Sequence, residues 1–441
     1  MRIRHFITGC FSLLFVLTIK GQEPNFEMTG YATVEGEGFV STTGGKGGDT
    51  ITVLSLDELR TYAASREKNN SPAILVISGR LEATPSEVVT FKHGSNLSIL
   101  GGENGTELIG VGIRIWDYHN VIIRNLKIHE IFYPDDALSI EECHHVWIDH
   151  NELYSKTGAG IGIDTYDGLL DIKKGSRFVT VSWNYLHHHM KCMLIGHTDN
   201  ATQGEIDRDM RITIHHNIFE YTNGRNPSLR WGAAHIFNNF FGNIDDYAIA
   251  LRQGAHGLIE NNVFHNVNTC ISTNKFDGEG FACLSGNVYT GSSLESENSI
   301  TQTGCDFWND LPYSYEADVT DNLETLLRIN SGILWKDTTS TEPDTTFVNG
   351  LNDVQLKPGN LSCFPNPVYD IFQLTFQSDL DEIYEMVIRD LTGREVVRKQ
   401  VHMKKGANKI NMERGNLKQG IYLLSVAGPK TQSSLIRMAV F

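Results

Sequence analysis

Three aspartates, one lysine and two arginines stand where their side chains could do chemistry together. Asp136 lies in Pro134-Asp-Asp-Ala-Leu-Ser-Ile140, and Asp167 and Asp171 lie four apart in Tyr166-Asp-Gly-Leu-Leu-Asp171-Ile-Lys-Lys. A set of carboxylate oxygens suits a hard cation such as Ca2+, and three of them leave coordination positions for water or for a carboxylate of a bound molecule. Each aspartate is equally at home as a turn or cap residue. Lys191, in His189-Met-Lys-Cys-Met-Leu-Ile-Gly196, and the pair in Arg225-Asn-Pro-Ser-Leu-Arg230 each flank a predicted strand. A guanidinium on a rigid segment grips a carboxylate with two parallel hydrogen bonds. An ordinary surface ion pair is the alternative for each, and Lys173, Lys174 and Arg211 are assigned to that role.

Charge narrows the ligand. The chain has 53 acidic and 37 basic residues and a formal net charge of −16, which argues against general attraction to nucleic acid. An anionic polymer would therefore need a local basic cluster or a metal ion to hold it. The first residues, Met-Arg-Ile-Arg-His followed by an apolar run from Phe6 to Ile19, read as a secretory signal over residues 1–21. That run is shorter than the roughly 20 apolar residues of a membrane span, so no transmembrane segment is expected. Ile7-Thr-Gly-Cys10 resembles a lipoprotein box but lacks a preceding apolar stretch. Beyond Cys10, the cysteines Cys143, Cys192, Cys270, Cys283, Cys305 and Cys363 form no zinc pattern, and their spacing does not tell which pair.

These side chains need a scaffold, and the sequence from about residue 90 to 290 repeats one theme. A short β-branched run, an asparagine and a second short apolar run recur, as in Val121-Ile-Ile-Arg-Asn125, Val146-Trp-Ile-Asp-His-Asn151 and Val179-Thr-Val-Ser-Trp-Asn184. Asn217, Asn239 and Asn262 continue the series, with successive spacings of 26, 33, 33, 22 and 23 residues. Short strands at this period, without helical periodicity between them, describe a solenoid of coils. An asparagine at the same turn of every coil can satisfy its amide on its neighbours. A β-sandwich also has short regular strands, but it does not explain the recurring asparagine. The two gaps of 33 residues imply coils with insertions, placed at 126–150 or after Asn151, around 155–175, where a cleft is commonly built.

The ends of the array are also legible. Leu56-Asp-Glu-Leu-Arg-Thr-Tyr-Ala-Ala-Ser65 has apolar residues at helical spacing and is expected to cap the solenoid. Residues 337–355 begin with a polar, low-complexity stretch and read as a linker. Residues 356–441 alternate short strands with turn signals at Thr392-Gly393, Lys405-Gly406 and Gln419-Gly420. The expected fold is thus all-β, a right-handed parallel β-helix over 22–336 followed by a small antiparallel β-sandwich.

Five segments occur in order along residues 30–335: Asp136-Ala-Leu-Ser-Ile, Val146-Trp-Ile-Asp-His150, Asp171-Ile-Lys-Lys-Gly with Val179-Thr-Val-Ser182, His189-Met-Lys-Cys-Met-Leu-Ile-Gly196, and Arg225-Asn-Pro-Ser-Leu-Arg230 before His235-Ile-Phe-Asn-Asn. Together they resemble polysaccharide lyase family one, the pectate lyases. The resemblance implies a Ca2+ site at Asp136, Asp167 and Asp171, a Brønsted base at Arg225, and substrate carboxylates held by Lys191 and Arg230. Arg252, in Leu-Arg-Gln-Gly, resembles a further substrate-binding arginine. One position departs: some members carry an additional acidic ligand two residues before Asp136, where this chain has Pro134, and Asp135 is the substitute at hand.

The implied reaction is β-elimination across C4 and C5 of a galacturonate. It removes a proton α to a carboxylate, and the developing charge must be stabilised by the metal and by Lys191 and Arg230. A guanidinium base titrates above about 12 when unperturbed, so the reading requires nearby positive charge and implies an alkaline optimum.

Phe364-Pro-Asn-Pro367, Val387-Ile-Arg-Asp-Leu-Thr-Gly-Arg394 and Gln419-Gly-Ile-Tyr-Leu-Leu424 resemble the C-terminal sorting domain of type IX secretion. That implies the secretion machinery as partner, export or surface attachment, and no part in catalysis; a carbohydrate-binding sandwich is the alternative. For the solenoid the alternatives are a pectin lyase acting on methylated polymer and a non-catalytic pectin-binding protein. Neither needs all of Asp136, Asp167, Asp171 and Arg225. The chain is expected to act as a monomer.

Overall fold

A computed structural model describes residues 24–292, 304–334 and most of 361–440. The expected signal and linker lie outside the described residues, as do Thr392-Gly393, Gln419 and Pro365-Asn-Pro367. The chain divides into two compact units, one over Phe26–Gln355 and one from Leu356 onward.

The first unit is a parallel β-helix. Each coil contributes strands to three parallel stacks. The first stack runs Leu126–His129, Glu152–Tyr154, Tyr185–Lys191, Ile218–Gly224 and the first part of Phe240–Arg252. The second runs Leu138–Glu141, Leu170–Lys173, Met193–Ile195, Ser228–Arg230 and the end of Phe240–Arg252. The third runs His144–Asp149, Arg177–Ser182, Arg211–His215, Ala233–Phe237 and His256–Glu260. Inward side chains such as Ile128, Ile140, Ile148, Ile172, Val181 and Ile214 are completely buried, each removal from water contributing about 1.5–3 kcal/mol. In the later coils Phe219, Phe241, Phe264 and Tyr289 stack in register, with ring centroids 5.1, 4.8 and 5.2 Å apart.

The corner joining the third stack to the first is where the asparagines sit. Asn151, Asn184, Asn217, Asn239, Asn262 and Asn287 form a continuous ladder, each Nδ2 donating to the next Oδ1 at 2.9–3.0 Å. Each of the first five Nδ2 groups also donates to two backbone carbonyls, as Asn217 does to Val181 and His215. The residue before each rung is left-handed: His150, Trp183, His216, Asn238 and Asn261 have φ between 50° and 56°, and Gly286 has 64°. That conformation costs a side-chain-bearing residue roughly 1–2 kcal/mol, and buried amide bonds of about 1 kcal/mol each offset it. Asn125 differs: its Oδ1 accepts from Leu334 N and its Nδ2 donates to Gly102 O.

The expected helix is present over Leu56–Ser65. Ser55 caps it, accepting from Glu58 N, while Glu58 Oε2 accepts from Leu54 N at 2.7 Å, a reciprocal cap. Leu59 and Ala63 join the core with Val53, Ala73 and Leu75, closing that end. Pairing begins earlier than the repeats suggest, at Asp49–Val53 against Ala73–Ile77. That first strand is mostly exposed and lacks the apolar signature. One insertion lies at 155–169, within the expected region. The second 33-residue gap is accounted for by 196–210, which includes a helix at Ala201–Asp207 that the sequence pattern did not signal.

Cys283 and Cys305 form a disulfide, while Cys143 and Cys192 are buried thiols. It ties the strand Phe281–Ser285 to the short helix Cys305–Trp308, whose Trp308 packs with Ala233 and Leu258. With a sequence separation of 22 between the cysteines, reduction should lower stability by about 3 kcal/mol. Denaturant midpoints of reduced and oxidised protein measure this.

The strands of the second unit pair antiparallel, with one isolated parallel bridge between Val368 and Val440. A three-stranded sheet and a four-stranded sheet share one core containing Phe372, Leu374, Tyr384, Met386, Leu424 and Met438, as expected for a small sandwich.

Candidate active site

The second strand stack carries one of the candidate aspartates, Asp171, on the strand Leu170–Lys173. Leu170 and Ile172 point into the core, so alternation turns Asp171 and Lys173 outward on one face. Asp136 arrives from the preceding corner. Both carboxylates are buried, at 6% and 4% exposure. The Lys173 ammonium lies between them, bonded to Asp136 Oδ2 and 3.5 Å from Asp171 Oδ2. Asp136 Oδ1 accepts from Gly168 N at 3.0 Å, and Asp171 Oδ1 from Leu194 N at 3.2 Å. Burial and the Asp136 charge raise the Asp171 pKa well above the usual carboxylate range.

Gly168 shapes this space. A Cβ there would stand 2.3 Å from Asp171 Oδ1 and 2.8 Å from Asp136 Oδ1, so only glycine leaves both oxygens open. Two buried carboxylates that already share an ammonium, in a cradle that a Cβ at 168 would fill, fit a hard cation. Asp167, next to Gly168, faces elsewhere: its carboxylate is 2.8 Å from Lys191 Nζ. Among the described residues no three Asp, Glu, His or Cys side chains converge on one point. Asp135 forms no side-chain hydrogen bond or ion pair with the described residues, and its amide donates to Phe132 O.

The basic side chains come from three successive coils. Lys191 ends the strand Tyr185–Lys191, opposite Gly224. It is 5% exposed and is held by Asp167 and by Asp164 at 3.1 Å. His189, two residues earlier, donates from Nε2 to Asp167 O at 2.6 Å. Burial, with Lys191 and Arg225 nearby, holds its pKa down to about 4, so the ring is a neutral brace for the Asp167 loop. Arg230 and Arg252 are register partners on adjacent strands, and Asp199 binds both.

Arg225 is the exception. Its guanidinium forms no hydrogen bond or ion pair with the described residues, although its charge acts on Asp171, His189 and Tyr247. Its backbone is left-handed, with φ 61°, and the turn is fixed on every side. Met193 N donates to Arg225 O, and Asn226 N to Ala248 O at 2.8 Å. Asn226 Oδ1 accepts from Thr222 Oγ1 at 3.0 Å. Tyr247 packs against Gly224, where a Cβ would come within 2.8 Å of its ring. An over-determined, left-handed turn that carries a side chain unpaired among the described residues is strain of the kind found at reactive positions.

The structure therefore brings Asp136 with Asp171, Asp167 with Lys191, and Arg230 with Arg252, and leaves Arg225 unpaired among the described residues. Three participants escape the sequence pattern. Lys173 is no surface ion pair but part of the site, and its spacing of two from Asp171 on a strand is a usable signal. Asp164 and Asp199 lie in inserted loops, where no periodicity marks them.

A family profile described as pectate lyase matches residues 5–333, and one described as a secretion system C-terminal sorting domain matches residues 362–438. Pectate trisaccharide-lyase from Bacillus licheniformis is 39% identical over 314 residues, covering 70% of this chain and 87% of its own. The crystal structure of a pectate lyase from Bacillus sp. N165 in complex with trigalacturonate is similar with a TM-score of 0.60 and 30% identity, over 70% of this chain and 99% of that one. Pectate lyase C from Erwinia chrysanthemi, at pH 9.5 with 30 mM Ca2+, has a TM-score of 0.57 and 22% identity over 70% and 96%, a likeness of fold.

Proposed function

The chain belongs to the pectate lyase family, and from that premise we propose that it cleaves de-esterified polygalacturonate by β-elimination with Ca2+, giving 4,5-unsaturated oligogalacturonides. Residues 22–336 are the catalytic domain and 337–355 a linker. The last segment is a secretion sorting domain, which marks the protein for export and the cell surface through the type IX machinery.

Asp136 and Asp171 would hold Ca2+, and Asp167, which pairs with Lys191 in this structure, would join them by giving up that lysine. The bound ion would neutralise the substrate carboxylate beside the proton that leaves. The other roles belong to side chains of the chain itself. Lys191, Arg230 and Arg252 bind uronate carboxylates and stabilise negative charge as it develops. Arg225 takes the proton from C5. The observation that carries this assignment is its unpaired guanidinium, placed among cations that acids otherwise neutralise.

The test is the ultraviolet absorbance of unsaturated uronate formed from polygalacturonate, with and without chelator. Product that depends on Ca2+ supports the reading; a reducing-sugar product without unsaturation would overturn it. In Asp171→Ala the Ca2+ concentration for half activity should rise at least about tenfold, because one of few anionic ligands is lost. Calorimetric Ca2+ titration of that variant should show the same weakening, with the fold intact by circular dichroism. Unchanged Ca2+ affinity would place the metal elsewhere.

A further inference from the structure

The insertion at 196–210 has a role beyond lengthening a coil. We propose that Asp199, which it carries, is a positioning residue that clamps Arg230 and Arg252 side by side as one carboxylate-binding unit. This rests on the reading of those arginines as substrate contacts.

Register partners on neighbouring strands sit about 4.8 Å apart, so Arg230 and Arg252 present two like charges at close quarters. Their side chains are only 14% and 11% exposed, where solvent screens repulsion poorly. Burial, and after it the charge of Arg230, lowers the pKa of Arg252. Asp199 resolves this conflict with one oxygen for each partner. Its Oδ1 accepts from Arg230 Nε at 2.7 Å, and its Oδ2 from the Arg252 NH2 group at 2.6 Å. Arg230 is fixed on a second side by Gly196 O, 2.9 Å from its NH1 group, and Arg252 lies over the Phe276 ring at 4.8 Å.

The loop bearing Asp199 is itself held. Gly196 N donates to Ile172 O at 3.0 Å, and Trp231 Nε1 to Thr198 O at 2.9 Å. Asn200 caps the helix Ala201–Asp207, its Oδ1 accepting from Thr202 N and Gln203 N. Gly196 has φ 77°, and a Cβ there would approach Arg230 O to 2.9 Å, so the loop can turn this close to the arginine only with glycine. Two guanidiniums and one carboxylate leave one net positive charge, which matches a single uronate carboxylate.

The experiment is a mutant cycle on the full-length secreted protein with polygalacturonate at saturating Ca2+. Asp199→Ala should raise KM about tenfold, the loss of a pair of charge-assisted bonds, and change kcat by less than about threefold. Asp199→Asn should raise KM by less, since it keeps one acceptor but no charge. In the Arg230→Ala/Arg252→Ala background, Asp199→Ala should have no further effect on KM, because its action passes through those side chains. An equal KM rise in both backgrounds would make Asp199 a structural loop residue and overturn the proposal, as would an unchanged or lowered KM in the single variants. Asp199→Asn, an isostere, keeps the test decisive if the alanine variant folds poorly. A normal KM in Arg230→Ala/Arg252→Ala would instead remove the underlying reading of the arginines as substrate contacts.

Discussion

Replacing Arg225 by lysine should lower kcat on polygalacturonate by roughly 10²–10⁴, the range general base catalysis supplies, with KM little changed. Lysine keeps the positive charge and titrates lower, near 10.4 unperturbed. If charge alone mattered, the variant would lose little and would work at lower pH. What lysine lacks is the planar fork. The Arg225 backbone is locked in a left-handed turn by Met193, Ala248 and Asn226, so the shorter reach of a lysine cannot be recovered by moving the main chain. A base acts only as the proton leaves, so its loss belongs to kcat. Arg230→Lys is the control and should alter KM and kcat together, since Arg230 meets a carboxylate before and during the reaction. Rates are to be followed across alkaline pH at saturating Ca2+. Near-normal kcat in Arg225→Lys, with the change confined to KM, would falsify the assignment of the base.

The largest effect on stability is expected at the middle of the asparagine ladder. Asn217 Nδ2 donates to Val181 O, His215 O and Asn239 Oδ1, and its Oδ1 accepts from Asn184 N and Asn184 Nδ2. Alanine at 217 removes five buried hydrogen bonds at once and leaves Asn184 N without its acceptor. With about 1–3 kcal/mol for each buried polar group left unsatisfied, and some relief from local relaxation, Asn217→Ala should destabilise the solenoid by about 3–5 kcal/mol. The denaturant midpoint should fall accordingly with the slope unchanged. Asn125→Ala, at a position outside the continuous stack, should cost clearly less. Equal losses at the two positions would mean that the ladder has no cooperative strength beyond that of isolated amides.

The fold was legible because two signals coincided in the sequence. The asparagine recurred at one place in each motif, and β-branched runs flanked it, so the coils could be counted before their geometry was known. The helix Leu56–Ser65 was legible because Ser55 and Glu58 form its reciprocal cap. Where the signals parted, the reading fell short. The rung at Asn287 follows Ser285-Gly286 and not a β-branched run, and Asn125 fits the pattern while using its amide differently. The helix Ala201–Asp207 contains Thr202 and Gly204, poor helix formers, and depends on the Asn200 cap and the packing of Gly204 beneath Trp231. The candidate site was legible as a set of residue types, but its pairing was not. Nothing local in the sequence tells that Asp199 meets arginines 31 and 53 residues away, because that meeting is set by how the coils stack.

The asparagine corner has a further bearing on how such a molecule can vary. It never lengthens: from His150-Asn151 to Asn261-Asn262, the turn between the third and first stacks is two residues. The insertions at 155–169 and 196–210 fall at the other two corners, on either side of the second-stack strands Leu170–Lys173 and Met193–Ile195. One edge thus acts as an indexing rail that keeps every coil in phase, while the opposite edges are free to grow or shrink. Loops can be exchanged there without shifting a strand by a single position, so the surroundings of the site can drift while the spacing of the charged side chains along the stack stays constant.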